Sequence, residues 1–204
     1  NILLLGAGRS SACLLDYLID NAQTNEWNLT IADANTGRET EQHSFVRRLV
    51  LDVANESARR KEISSSDIVI SLLPPSMHQQ IAKDCIHFKK HLLTASYVSD
   101  EMRSLDGEAK NAGILLLNEC GLDPGIDHMS AMQIIEKIKL SGGEIYSFKS
   151  FAGGLPAPES NDNPWGYKFS WNPRNVILAG QGTAHYLENG SLKLIPYQSL
   201  FTNT

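Results

Sequence analysis

The sequence predicts an α/β fold: a doubly wound parallel sheet of six strands, followed by the start of a second domain. Three observations predict it. Short apolar runs alternate with helical stretches through roughly the first 120 residues. The runs are apolar on both faces, as a parallel sheet covered by helices requires. A glycine turn joins the first run directly to the first helix.

The expected strands are Ile2–Leu5, Leu29–Asp33, Leu49–Val53, Asp67–Leu73, Leu92–Tyr97 and Ile114–Asn118. Helices are expected between them at Ser10–Asn21, Glu56–Ile63, Met77–Phe88 and Ser99–Ala112. The last carries Met102, Leu105 and Ala109 at helical spacing, with Gly113 as its stop signal. Right-handed crossovers then wind the sheet in both directions. Beyond Asn118 the pattern changes. Gly121-Leu122-Asp123-Pro124-Gly125 reads as a loop, followed by a helix over Ile126–Leu140 with Met129, Met132, Ile135 and Ile138 on one face. A strand is expected at Glu144–Phe151, then a loop rich in Gly, Pro and Asn from Ala152 to Pro164. A loop that long in a compact protein is usually functional or a linker. These readings divide the chain into residues 1–121 and 122–204.

The 204 residues carry 18 basic and 23 acidic side chains, a formal charge of −5. Such a balance argues against a sequence-independent nucleic-acid binder, which needs a basic face for phosphates. No apolar run reaches membrane-spanning length. Cys13, Cys85 and Cys120 are widely spaced and odd in number, so neither a disulfide framework nor a metal site is expected, and the compartment is read as cytoplasmic. The first strand begins at residue 2 without an initiator Met, and Leu192–Asn203 resembles the opening of further structure, so an internal fragment is expected.

Gly6-Ala7-Gly8-Arg9-Ser10-Ser11 sits between a strand and a helix. The first glycine permits the tight turn. The second lets backbone approach a pyrophosphate, which then lies on the helix N-terminus, where free N–H groups and the dipole favour an anion. The third position, usually Gly or Ala, is Ser11. In this context the turn predicts a Rossmann-type dinucleotide-binding domain, with Gly6, Ala7, Gly8, Arg9 and Ser10 against the phosphates. Asp33 ends the second strand, 25 residues after Gly8. A carboxylate there accepts from a ribose 2′-OH and repels a 2′-phosphate, so NAD is expected over NADP. Arg38, five residues on, softens that preference and leaves NADP possible. Asp52 and Val53, at the end of the third strand, are expected beside the adenine.

Several strings go beyond fold. They are Ser66-Asp67-Ile68-Val69-Ile70-Ser71-Leu72-Leu73-Pro74, Thr94-Ala95-Ser96-Tyr97, Gly121-Leu122-Asp123-Pro124-Gly125-Ile126-Asp127-His128, Gly153-Gly154-Leu155-Pro156-Ala157-Pro158-Glu159 and Asn163 through Trp171. On these strings the chain closely resembles the saccharopine dehydrogenases of the glutamate-forming type. The resemblance implies a Rossmann domain followed by an inserted α+β substrate and dimerisation domain. It implies oxidation of saccharopine, with a nicotinamide nucleotide, to 2-aminoadipate 6-semialdehyde and glutamate, or the reverse condensation. It also implies a homodimer. By the same resemblance Leu73 walls the cofactor, and Thr94 and Ala95 contact it. Ser96 and Tyr97 contact substrate. Leu122, Asp123 and Pro124 touch both, and Arg174 lies near a further contact. One departure stands out: the family usually has Cys before the Gly-Gly-Leu-Pro string, where this chain has Ala152.

Oxidising a secondary amine requires hydride transfer, a proton acceptor for the amine and an activated water. Asp123 suits proton acceptance or ammonium binding, yet Asp123-Pro124 also has the form of an N-cap followed by Pro at N1. Tyr97 suits orientation of substrate or proton donation, or simple aromatic packing. A guanidinium at Arg174 suits a substrate carboxylate, while Lys168 is equally readable as surface charge. His128 and His78 read as structural residues, the latter as packing or capping. Two rivals remain: a carboxyalkylamine dehydrogenase on the same scaffold, and a dinucleotide-binding regulator without turnover.

Overall fold

A computed structural model describes residues 1–35, 44–151, 153–169, 173–179, 181–200 and 202. Ile2–Leu5 (β1) is buried on both sides of its backbone. Leu3 and Leu5 join one apolar cluster while Leu4 joins another, as the two-residue period of a strand dictates. Around it lie Leu29–Asp33 (β2), Val46–Val50 (β3), Ile68–Ser71 (β4), His91–Thr94 (β5) and Leu116–Leu117 (β6). All pair in parallel, in the order β3-β2-β1-β4-β5-β6. This is the doubly wound Rossmann-type sheet, with its topological switch point between β1 and β4.

The larger cluster lies on the face that receives Glu56–Ser64 (α2), His78–Phe88 (α3), Asp100–Ser104 (α4) and Asp106–Ala112 (α5). It holds Val69, Ile63, Ile81, Cys85, Leu92 and Met102 beside Leu3 and Leu5. The smaller cluster packs Leu4, Leu29 and Ile31 against Leu18 of Ala12–Ala22 (α1). Helix starts follow local chemistry: the Asn55 and Ser99 side chains accept from the N–H groups of Ala58 and Met102, capping α2 and α4.

Four expectations are corrected. The third strand is three residues earlier than Leu49–Val53, which leaves Asp52 and Val53 in the turn before α2. As an edge strand, β3 tolerates Arg47, which hydrogen-bonds Thr30 and pairs with Glu62, so the apolar run did not mark its start. The strand before Tyr97 ends at Thr94, placing Tyr97 three residues past its tip. The helix expected over Ser99–Ala112 is two, because the Leu105 N–H bonds back to the Met102 carbonyl in a tight turn. Glu144–Phe151 forms no strand: no described segment pairs with it, and Tyr146 and Phe151 are exposed. A ladder without a partner leaves its backbone groups to water.

Past β6, Ile126–Leu140 (α6) has the bounds its pattern predicts, but buries none of its residues. The chain divides into two compact units, residues 1–152 and 153–204. The second holds Pro173–Ala179 (α7) and an antiparallel hairpin of Ala184–Glu188 (β7) and Ser191–Ile195 (β8). No described helix is long and apolar enough to cross a membrane.

Candidate active site

Gly6 leaves β1 with φ +96°, and a Cβ there would stand 3.1 Å from the Leu72 carbonyl carbon and oxygen. Only glycine accommodates both demands. Gly8 is different. A Cβ on it would meet nothing within 4 Å, so its bare backbone faces open space in front of the turn. That is the cradle a pyrophosphate needs. Arg9–Ser11 form one tight helical turn ahead of α1. Ser11 is buried, its hydroxyl donating to the Gly8 carbonyl at 2.7 Å, which is how a serine fills the third position of the fingerprint.

Asp33 reaches back to this turn. Its Oδ2 accepts from the Ala7 N–H at 2.7 Å and its Oδ1 from the Asn35 N–H at 2.9 Å. The carboxylate is thereby held beside a cleft of about 140 Å³ lined by Ala7, Ile31, Asp33, Asn35, Arg48 and Val50. Arg38 lies outside the described residues. Asp52 accepts from the Ala54 N–H within its own turn, and Val53 is buried. The Val53 carbonyl accepts from Arg59, whose guanidinium also pairs with Asp84 at 2.7 Å; Arg60 takes the second Asp84 oxygen at 2.6 Å. Sequence reasoning missed this network. Asp84 standing on the buried face of α3, beside Ile81, Ala82 and Cys85, was its one signal.

The other half of the sheet builds its site from side chains. The chain after β5 and the chain after β6 are laced together: Glu119 N–H donates to the Ser96 carbonyl, Cys120 N–H to the Thr94 carbonyl, and Val98 N–H to the Glu119 carboxylate. This lacing brings Tyr97 to Asp123, the phenol donating to Oδ1 at 2.6 Å. Tyr97 remains 61% exposed. The bond to Asp123, then burial, then the charges of Asp123, Asp127 and Glu119 push its phenol up to about 12. A phenol so held stays protonated; it orients a partner and is a poor source of protons near neutrality.

Asp123 is not an N-cap. Gly125 occupies that position with φ +150°, and Asp127 accepts from its N–H at 2.9 Å. A closed loop explains the difference: Gly121 N–H donates to the Pro124 carbonyl, and Ile126 N–H donates to the Gly121 carbonyl. A Cβ on Gly125 would lie 2.1 Å from the Gly121 oxygen. Asp123 is thus displaced from the helix start toward Tyr97.

Among the remaining predicted residues, Leu73 packs on the larger cluster, while Leu122 is 74% exposed. Thr94 is buried, Ala95 and Ser96 are half-buried, and Pro124 is buried. Arg174 is exposed at the start of α7, in the second unit, and Lys168 pairs with Asp162 at the surface. Ala152 lies outside the described residues. His128 is exposed beside Asp127 at 2.7 Å. His78 is no cap: its ring is buried among Ser71, Thr94 and Ser96. The Asn118 amide oxygen, just past β6, is buried without a hydrogen-bond partner among the described residues. Those residues hold no cluster suited to a metal ion.

Residues 2–117 match the family described as the saccharopine dehydrogenase NADP binding domain, and residues 121–204 match the saccharopine dehydrogenase C-terminal domain. The chain belongs to the saccharopine dehydrogenase family. The Saccharomyces cerevisiae protein named saccharopine dehydrogenase [NADP(+), L-glutamate-forming] is 40% identical over 98% of this chain and 45% of its own length. The Arabidopsis thaliana alpha-aminoadipic semialdehyde synthase is 41% identical over 98% of this chain and 21% of that protein. A solved apo structure of the S. cerevisiae saccharopine dehydrogenase superposes with a TM-score of 0.82 at 37% identity, covering 100% of this chain and 45% of that one. The chain therefore spans less than half the length of these relatives. The matched domain and the S. cerevisiae relative are named for NADP, which gives no support to the expected preference for NAD.

Proposed function

We propose that this chain carries the coenzyme half, and part of the substrate half, of a nicotinamide-dependent oxidoreductase acting on the secondary-amine bond of saccharopine. The products are 2-aminoadipate 6-semialdehyde and glutamate, or the reaction runs in reverse. The observation that carries this reading is the 2.6 Å bond between Tyr97 and Asp123, formed beyond the C-terminal tips of β5 and β6. Ligands of a doubly wound sheet bind at that edge.

The residues present fit a dinucleotide. Ala7, Gly8, Arg9 and Ser10 would take the pyrophosphate in the open cradle at Gly8, Asp33 the adenosine ribose, and the turn at Asp52 and Val53 the adenine. Leu73, Thr94, Ala95, Leu122 and Pro124 would border the nicotinamide end. When bound, the coenzyme supplies the hydride acceptor or donor. The chain's own residues do the rest. Asp123 attracts the substrate ammonium and takes the amine proton, Tyr97 fixes the Asp123 carboxylate, and Ser96 offers a hydroxyl. Arg174 is proposed for a substrate carboxylate. Domain limits of 1–121 and 122–204, a homodimer and a cytoplasmic location belong to this proposal, on the resemblance and on three free thiols.

Asp33 is proposed as the residue that sets the ratio of NAD to NADP use, with Arg48 in the same cleft as a counterweight. An assay of the intact protein with saccharopine and each nucleotide tests the whole reading. Turnover of saccharopine is expected. Tight coenzyme binding with no oxidation of any secondary-amine amino acid would overturn it, and turnover of another carboxyalkylamine alone would move it to a sister reaction.

A further inference from the structure

His78 opens α3 and is 2% exposed, and both ring nitrogens are engaged. Nδ1 lies 3.1 Å from the Ser71 hydroxyl, at the end of β4. Nε2 lies 3.0 Å from the Thr94 hydroxyl, at the end of β5, and 2.8 Å from the Ser96 hydroxyl just past it. The Ser96 N–H in turn reaches the Thr94 hydroxyl at 3.3 Å. Four polar side chains thus meet at the adjoining tips of two central strands. A merely filled space there would take apolar residues, which pack without the desolvation cost of a hydroxyl or an imidazole.

Topology says which ligand part lies nearby. In the strand order β3-β2-β1-β4-β5-β6, the glycine turn and Asp33 claim the β1–β3 side for adenosine, so the β4–β6 tips face the nicotinamide end. Of the four groups, Ser96 is the half-buried one, at the border between core and crevice. Resting on the coenzyme reading above, we infer that His78 is a positioning residue: its ring fixes the Ser96 hydroxyl, proposed above on the substrate side, in one orientation where it also meets the carboxamide of the nicotinamide. A neutral imidazole has one N–H, so one ring nitrogen donates and the other accepts. Nε2 thus has one proton or one lone pair for two hydroxyls, and Ser96, at the shorter distance, takes it and keeps its remaining hydrogen-bonding capacity for a ligand. Burial holds the ring's pKa down at about 4, so this pattern does not change between pH 6 and 9, a range on the order of ordinary assays.

The test is calorimetric titration of the intact protein with the reduced coenzyme it binds best and with the matching ADP-ribose, which lacks the nicotinamide ring. His78→Leu is expected to weaken the coenzyme about tenfold and to leave ADP-ribose within about twofold, the size of one hydrogen bond. His78→Gln, whose amide can still reach Ser96, is expected to recover most of the loss. Ser96→Ala is expected to reproduce it, and the double variant to add nothing. Equal weakening of both ligands in His78→Leu, or of neither, would overturn the inference by returning His78 to a structural role. Should His78→Leu not fold, Ser96→Ala decides in the same pair of titrations: equal effects on both ligands overturn the inference. A wild-type protein that binds ADP-ribose and the coenzyme equally well would overturn it alone. One that binds neither would remove the coenzyme reading as well.

Discussion

The two halves of the sheet build their ends from different materials. On the β1–β3 side the work is done by backbone: a glycine with φ +96°, a second glycine facing open space, and an aspartate tied to two N–H groups. On the β4–β6 side it is done by side chains contributed by five separate stretches of chain, Ser71, His78, Thr94 to Tyr97, Glu119 and Asp123. Backbone demands restrict residue type sharply. Side-chain networks restrict only chemistry, and serine, threonine and histidine occur everywhere. The difference teaches why one half of such a site can be read from a fingerprint and the other cannot.

The contrast breaks first at the foundation of the β1–β3 side, proposed above for adenosine. Asp84 and Arg59 are both buried, and Arg59 holds the Val53 carbonyl of the proposed adenine turn. Asp84→Ala leaves that guanidinium without its carboxylate and is expected to cost about 3–5 kcal/mol in denaturant unfolding. A loss below about 1 kcal/mol would show that the turn stands on backbone alone. The next effect belongs to the other half. Burial lowers His78 from the ordinary 6.5 to about 4, so the unfolded chain takes up a proton in this window that the folded chain refuses. The stability present above pH 6.5 should therefore be lost as pH falls toward 4, by about 3 kcal/mol over the window. The bonded neighbours of the ring are all hydroxyls, which do not titrate there. His78→Leu should flatten this part of the pH profile of unfolding free energy; an unchanged slope would locate it elsewhere.

Two smaller effects sharpen the contrast at the chemistry. Asp123→Ala should lower turnover of the intact protein about 100-fold, the scale of a lost proton acceptor, with coenzyme affinity nearly constant. Unchanged turnover would leave Asp123 as only an anchor for Tyr97. Asp33→Ser should shift the ratio of kcat/KM values toward NADP by about tenfold, about 1.4 kcal/mol. An unmoved ratio would assign nucleotide choice to another residue of the cleft.

The strand and helix order was legible because buried parallel strands must be apolar on both faces, and β1 and β2 have the bounds their runs predict. The edge strand departs from its expected bounds for the same reason. β3 is covered less, tolerates Arg47 and Arg48, and so hides its start from a rule that looks for apolar residues. Within the site, Gly6, Gly8 and Asp33 were legible from spacing. The string around Asp123 marks the residue, but its local pattern reads as a cap, because the loop closure between Gly121 and Pro124 is invisible in Asp-Pro-Gly itself. The local pattern at His78 reads as packing or capping and gives no sign of its hydroxyl network. Its partners lie 7, 16 and 18 residues away and meet it only once β4 and β5 are paired.

Ser11 carries a lesson for redesign. An engineer restoring the consensus glycine at the third fingerprint position would delete the hydroxyl clasp on Gly8 and loosen the unfolded chain, lowering stability by about 1 kcal/mol or more. A search pattern that scores Ser11 as a mismatch penalises the residue whose hydroxyl clasps the turn.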